Sequence, residues 1–144
     1  MTIEHEPDPE LIAAGFAIPY PDDPFEMRSG PFYVGADANG GTIVAFRAGR
    51  AQCNSNGVVH GGCLMTLVDL AVCYEAIGGD PALRSLTVSL TANFLGPVEE
   101  GAILHAYPKL NRRTKRMAFV DARVMDGETC VFTASAVIRV IDRG

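Results

Sequence analysis

A glycine pair and one acidic residue provide the chemistry in this sequence. Asn54 precedes the motif Val59-His60-Gly61-Gly62, and Asp69 follows eight residues after Gly61. Glycines at the start of a helix leave backbone N–H groups accessible, and such groups can bind a developing oxyanion. A carboxylate in apolar surroundings can act as a general base or as a nucleophile. These residue types suit a reaction at a carbonyl group.

An apolar segment after the glycine pair predicts one central helix. Cys63 to Ile77 contains no proline, is apolar almost all round and closes at Gly78-Gly79. We therefore predict a core helix of about four turns, buried on every side and shorter than the roughly 20 residues that span a bilayer. Asp69 is the only charge between His60 and Glu75. Burying a lone carboxylate destabilises the fold by several kcal/mol unless the carboxylate is paired or has a functional role.

The face that Asp69 shares consists mostly of small residues, which leave room for a ligand or a second backbone. Its members at helical spacing are Gly62, Met65, Thr66, Val72, Cys73 and Ala76. Gly61 and Asp69 are about 12 Å apart along a helix, whereas two groups acting on one carbonyl both lie about 3 Å from it. If both serve one reaction, they come from different subunits of a two-fold dimer.

Each candidate also has a structural interpretation. Asp69 could pair with a cation or with a neighbouring backbone, and His60 could be an ordinary loop histidine. Asn54 could bond its own loop, with Asn56 as a competing candidate. Cys63 could be a thiolate nucleophile, because a helix N-terminus lowers a thiol pKa, although a small buried apolar residue is the simpler interpretation.

Composition excludes several function classes. The 144 residues suit one domain, and a net charge of −5 with a pI of about 5.1 argues against nucleic-acid binding. The acidic N-terminus lacks the features of a secretory signal, so we expect a cytoplasmic protein. The four cysteines show no C-x-x-C spacing and the three histidines no H-x-x-x-H pair, so we expect no metal and no cofactor.

The remaining chain predicts an antiparallel sheet around the helix. Residues 1–30 carry five of the nine prolines and are interpreted as an N-terminal extension with a short helix near Glu10 to Ala14, before a domain over 31–144. Strands are predicted over 31–36, 42–46, 84–95, 102–110, 116–125 and 129–141. In the strand over 84–95, the alternation places Leu86, Val88, Leu90, Ala92 and Phe94 on the inner face. The fold class is therefore α+β.

With these residues identified, the chain resembles the hotdog-fold acyl-CoA thioesterases, in particular the branch of the phenylacetate-pathway and THEM-type enzymes. The resemblance covers roughly residues 40–141. It is carried by Asn54, by Val59-His60-Gly61-Gly62, by Asp69 within Thr66-Leu67-Val68-Asp69-Leu70-Ala71, and by Leu90-Thr91-Ala92-Asn93-Phe94-Leu95-Gly96-Pro97.

The resemblance implies a long antiparallel sheet wrapped around one buried helix, in homodimers that assemble into homotetramers. It implies hydrolysis of an acyl-coenzyme A thioester, in which coenzyme A is part of the substrate. Asp69 would be the general base or nucleophile, and the Gly61 N–H would polarise the carbonyl. Asn54 would position water or substrate, His60 would orient the loop or the thioester, and a strand hydroxyl at Thr87 would assist. Two rivals are a hydratase on the same fold and a non-catalytic acyl-CoA-binding module.

Substrate contacts are expected at both ends of the ligand. Gly62, Met65, Thr66 and Cys73 are candidates on the helix. A basic cluster, interpreted as part of a turn between two strands, is a candidate for the phosphates of coenzyme A; its members are Arg112, Arg113, Lys115 and Arg116.

Overall fold

The computed structural model describes residues 5–144, so the first four residues of the predicted N-terminal extension lie outside the described residues. Two short helices come first, α1 (Pro9–Ala13) and α2 (Pro24–Ser29). The sheet and its central helix follow as β1 (Tyr33–Ala36), β2 (Thr42–Arg47), α3 (Gly61–Ile77), β3 (Leu83–Phe94), β4 (Ile103–Arg113), β5 (Met117–Asp126) and β6 (Thr129–Asp142).

The six strands form one antiparallel sheet in the order β1-β2-β4-β5-β6-β3, and α3 packs against β2 to β6. Leu67, Val68, Ala71 and Val72 of α3 are fully buried between the helix and the sheet. The predicted α+β architecture, a sheet around one central helix, is confirmed. No helix within residues 5–144 is long and apolar enough to cross a membrane.

The predicted faces of β3 are wrong for its first half. A β-bulge between Thr87 and Ser89 inserts Val88 as an extra residue, so Thr87 pairs with Ile138 and Ser89 with Val137. Leu86 and Val88 therefore lie outside, 57% and 61% exposed. Because one inserted residue reverses the in-and-out alternation, Thr87 faces α3 although simple alternation places it on the outer face.

Two further expectations need correction. The α3 helix is not buried on every side, because Met65, Thr66, Asp69 and Cys73 form a half-buried stripe. The predicted turn from Asn111 to Thr114 is also wrong. β4 continues to Arg113 through a second bulge between Leu110 and Arg112, and the turn lies over residues 114–116.

The N-terminal segment packs on the outer strands of the sheet. Leu11 and Phe16 are buried in a small second core with Tyr33 and Ala45, and Ala17 bridges to Val34. The short helix expected near residue 10 is confirmed as α1, whereas α2 was not predicted. The domain boundary at residue 30 stays a prediction.

Candidate active site

The start of α3 leaves one backbone donor free. His60 is the N-cap, and its Nδ1 accepts a hydrogen bond from the Gly62 N–H at 2.9 Å. The N–H groups of Cys63 and Leu64 donate to the His60 carbonyl. Among the described residues, the Gly61 N–H has no acceptor. It is therefore a free donor at the positive end of the helix dipole.

An aromatic ring lies directly over Gly61. A Cβ atom at this position would come within 3.1 Å of Phe94 Cε1, so a side chain fits only if the ring shifts. Phe94 itself packs edge-on against Phe132, with ring centroids 5.0 Å apart, and is 55% exposed. The glycine thus keeps the backbone open beside an apolar wall.

Asp69 and Thr87 form the second part of the site, in the middle of α3. The Thr87 hydroxyl donates a hydrogen bond to Asp69 Oδ1 at 2.5 Å, and the Cys73 sulfur lies 3.3 Å from the same hydroxyl. The Asp69 Oδ2 atom has no hydrogen-bond partner within the described part of the chain. One carboxylate oxygen is therefore held in place, and the other is open to a ligand or to water.

Two cavities meet at Asp69. A cleft of about 930 Å³ is lined by Asp69, Cys73 and Thr87 together with residues 79–81 before β3 and residues 83–86 at its start. An adjoining cavity of about 400 Å³ is lined by Asp69, Met65, Thr66 and Leu90. Met65, Thr66 and Cys73 therefore each line a cavity together with Asp69, and their contact with substrate stays a prediction. Gly62 lines neither cavity, and its N–H donates its hydrogen bond to His60 Nδ1.

Within one chain the predicted catalytic residues form two separate groups. Asn54, His60 and Gly61 lie at or before the start of α3, and Asp69 with Thr87 lies two turns further along. Eight helical residues correspond to about 12 Å, so one carbonyl cannot contact both groups of a single chain. Gly61 and Asp69 thus lie on one helix, as predicted, and the site shared by two subunits stays a prediction.

Asn54 and Cys63 both make local structural contacts. Asn54 Oδ1 accepts hydrogen bonds from the N–H groups of Asn56, at 2.9 Å, and Val58, at 3.4 Å, so it stabilises its own loop. Cys63 is buried, with its sulfur 3.6 Å from the Ser29 carbonyl oxygen. Burial raises the pKa of Cys63 to about 11, which favours the interpretation as a small buried apolar residue over that as a thiolate nucleophile.

The basic cluster lies at the far end of α3 from Gly61. Arg112 and Arg113 belong to β4, while Lys115 and Arg116 belong to the turn after it. The Arg113 guanidinium donates to the Ala76 carbonyl at 3.2 Å and also to the Thr114 carbonyl, so it stabilises the helix end. None of the four lines the two cavities, and the arginines that line the larger cleft are Arg84 and Arg143.

Part of the site comes from the N-terminal segment and was not predicted from the sequence. Tyr20, Asp23 and Glu26 line the larger cleft, and Asp23 and Glu26 also line the smaller cavity. Asp23 caps α2 and Pro24 is its first residue. This Asp-Pro start followed by Glu26 is a recognisable N-terminal helix signal that could have identified α2.

Comparisons with known proteins agree on the class of fold and chemistry. A family model described as "Thioesterase superfamily" matches residues 56–132. A relative from Pseudomonas aeruginosa, named "Putative esterase PA0474", is 33% identical over 130 residues, which are 90% of this chain and 97% of the relative.

Solved structures share the fold at lower sequence identity. The Escherichia coli PaaI protein from the phenylacetic acid degradation operon superposes with a TM-score of 0.74 at 20% identity, covering 92% of this chain and 91% of that one. A hypothetical thioesterase protein from Streptococcus pneumoniae, solved with coenzyme A, has a TM-score of 0.68 at 20% identity, covering 77% and 89%. The predicted hotdog fold is confirmed.

Proposed function

The chain belongs to the thioesterase superfamily, and we propose that it hydrolyses the thioester bond of an acyl- or aryl-coenzyme A. The products are a free acid and coenzyme A. The observation that carries the proposal is the Asp69 carboxylate, held by the Thr87 hydroxyl in a cleft and open at Oδ2. Coenzyme A bound to the similarly folded Streptococcus pneumoniae protein supports the choice of substrate class.

The two groups on α3 have complementary roles at a thioester. Asp69 acts on the carbonyl carbon, either as a general base that activates water or as a nucleophile. The free N–H of Gly61 stabilises the negative charge that develops on the carbonyl oxygen. Because a thioester carbonyl is electrophilic, these two groups are the ones required at the carbonyl itself. Neither metal nor cofactor enters the proposal.

The remaining predicted residues support these two. His60 holds the first turn of α3 in the geometry that leaves the Gly61 N–H free, so its role is to position the donor. Asn54 shapes the loop that leads into the helix. Arg112, Lys115 and Arg116 remain candidates for the phosphates of coenzyme A. Arg84 and Arg143 join them because they line the cleft that contains Asp69.

A dimer brings the two groups together. β3 ends the sheet, and Leu86 and Val88 near its start are exposed, so the strand is a natural edge for pairing with a second copy. A two-fold axis would then supply Gly61 of one subunit to Asp69 of the other at two equivalent sites. We propose this homodimer, with further assembly into a tetramer.

Release of free thiol from a panel of acyl- and aryl-coenzyme A substrates tests the proposal. Asp69→Asn keeps the shape of the side chain and removes its charge, and we expect a rate loss of at least about a hundredfold, or roughly 2.7 kcal/mol. Asp80→Asn is the matched control. Asp80 lines the same cleft, but its carboxylate accepts the Ala82 N–H, a hydrogen bond that asparagine can keep, so activity should be retained.

Two outcomes would contradict the proposal. Binding of the panel without thiol release would favour a non-catalytic acyl-CoA-binding module. Loss or gain of a double bond in the acyl chain with the thioester intact would favour a hydratase.

A further inference from the structure

Glu26 shares both cavities with Asp69. Only three of the described residues line the 930 Å³ cleft and the 400 Å³ cavity alike, namely Asp23, Glu26 and Asp69. Glu26 lies on α2, which packs against α3, and its side chain is half-buried. Its carboxyl group therefore faces the same space as the catalytic carboxylate.

A role in capping α2 does not explain Glu26. A glutamate at the third helical position can reach back to the N–H of the N-cap residue. Here the Asp23 N–H donates to the Tyr20 carbonyl instead, at 3.1 Å. The Asp23 carboxylate already accepts from the N–H groups of Phe25 and Glu26. The helix end is thus satisfied without the Glu26 side chain.

The surroundings of Glu26 disfavour its charged form. Within residues 5–144 its carboxyl group has no hydrogen bond and no ion pair, and the charges that act on it are those of Asp23 and Asp69. Tyr20 and Cys73, which also face it, are neutral groups, and burial raises the pKa of each further. Arg84 and Arg143 line the larger cleft but not the smaller cavity.

Burial raises the pKa of the Glu26 carboxyl to about 7, and the negative charges of Asp23 and Asp69 add to the effect. Asp69, in contrast, accepts a hydrogen bond from Thr87. Two carboxyl groups in one site with such different surroundings divide acid and base roles between them, as in other hydrolases with paired carboxylates.

We infer that Glu26 is the general acid of the proposed thioesterase, the group that protonates the departing coenzyme A sulfur; the inference rests on the proposed function. Asp69 takes a proton from water as the water oxygen bonds to the carbonyl carbon. The carbon–sulfur bond then breaks, its electron pair goes to sulfur, and Glu26 gives its proton to that sulfur. The proton on Asp69 returns to Glu26 through the shared cavity, which restores both groups.

The role of Glu26 is the same, and the protons again balance, if Asp69 is the nucleophile. Attack by Asp69 forms a mixed anhydride and expels the sulfur, which Glu26 protonates. The Glu26 carboxylate then takes a proton from the water that hydrolyses the anhydride. Glu26 ends protonated and Asp69 ends ionised in both cases.

Glu26→Gln tests the inference, because glutamine fills the same space and cannot donate a proton to sulfur. We expect kcat for acyl-coenzyme A to fall by about a hundredfold, the lower end of what a positioned acid contributes. The wild-type rate should fall as the pH rises through about 7, because the acid form is lost, and this limb should be absent in the variant. Glu75→Gln is the matched control, a half-buried glutamate on α3 that lines neither cavity.

A change of leaving group separates acid catalysis from a structural role. The S-aryl thioester of the same acid has a more acidic thiol that needs no proton to depart. Glu26→Gln should therefore lose at most a few-fold in kcat/KM on the aryl thioester while losing about a hundredfold on acyl-coenzyme A.

Two results would overturn the assignment of Glu26 and leave the proposed function standing. One is an equal loss of kcat/KM on the aryl thioester and on acyl-coenzyme A, and the other is a Glu26→Gln rate that still falls as the pH rises through about 7. A wild-type protein that cleaves no acyl-coenzyme A would overturn both.

Discussion

The backbone N–H of Gly61 can be removed without removing the helix that carries it. Gly61 is the first helical residue of α3, the position at which proline is favoured because its missing N–H has no partner in the helix. The preceding residue, His60, has φ −62° and ψ 135°, which a residue before proline readily adopts. The proposed role of Gly61 as oxyanion donor can thus be tested by a single substitution.

We expect Gly61→Pro to lower kcat by about 10² to 10³, the usual effect of losing one oxyanion donor. Circular dichroism should show unchanged helix content. Gly61→Ala is the matched control, since its Cβ meets the same Phe94 ring and its N–H remains. If both variants lose activity equally, contact with the ring is responsible and the donor role is wrong.

Single residues were predictable from sequence where the signal is local. Asp69 stands out because it is one charge in an apolar segment, and the glycine pair stands out because it precedes that segment. Glu26 does not stand out, because its setting among Asp23, Asp69 and the cavities exists only after α2 packs on α3. Arg113, in contrast, stood out in the sequence as part of a basic cluster that could bind phosphate. In the structure its guanidinium donates to the Ala76 carbonyl, so it is engaged at the end of α3.

At the scale of elements, the bulge in β3 connects fold to chemistry. Thr87 was a candidate through the family resemblance alone, whereas strict alternation of β3 directed it away from α3. The extra residue Val88 exchanges the inner and outer faces of the first half of β3, so that Thr87 faces α3. The alternation of apolar and polar residues along a strand gives no sign of a bulge, so the bulge could not be predicted from the sequence. The strands and the central helix could be predicted, because their patterns are local.

The same bulge exposes apolar side chains on the edge strand, and we expect these to pack in a dimer. Leu86→Lys combined with Val88→Lys places four like charges around a two-fold axis and should weaken dimerisation at least a hundredfold, or roughly 2.7 kcal/mol. Sedimentation velocity measures the change. Ile12→Lys, on α1, replaces an exposed apolar residue of similar size away from β3 and should leave the dimer intact. Unchanged sedimentation of the double variant would place the interface elsewhere.

In the proposed mechanism, each subunit contributes half of each site. Within residues 5–144, the N-terminal end of α3 supplies the free Gly61 N–H, and the middle of α3 supplies the Asp69 carboxylate. The fold causes this separation, because Gly61 and Asp69 lie eight residues apart on the same helix. Assembly of two chains is therefore part of the proposed catalytic mechanism.

Mixed dimers of Asp69→Asn and Gly61→Pro subunits test whether the two residues act together across subunits. Each variant alone has a lesion in every site and should be nearly inactive. When the two are co-expressed in equal amounts, half of the dimers are mixed, and each mixed dimer has one site with both residues intact. Thiol release should therefore recover to about a quarter of the wild-type rate. If activity stays at the level of the two parents, Asp69 and Gly61 do not act together across subunits, and the shared site is wrong.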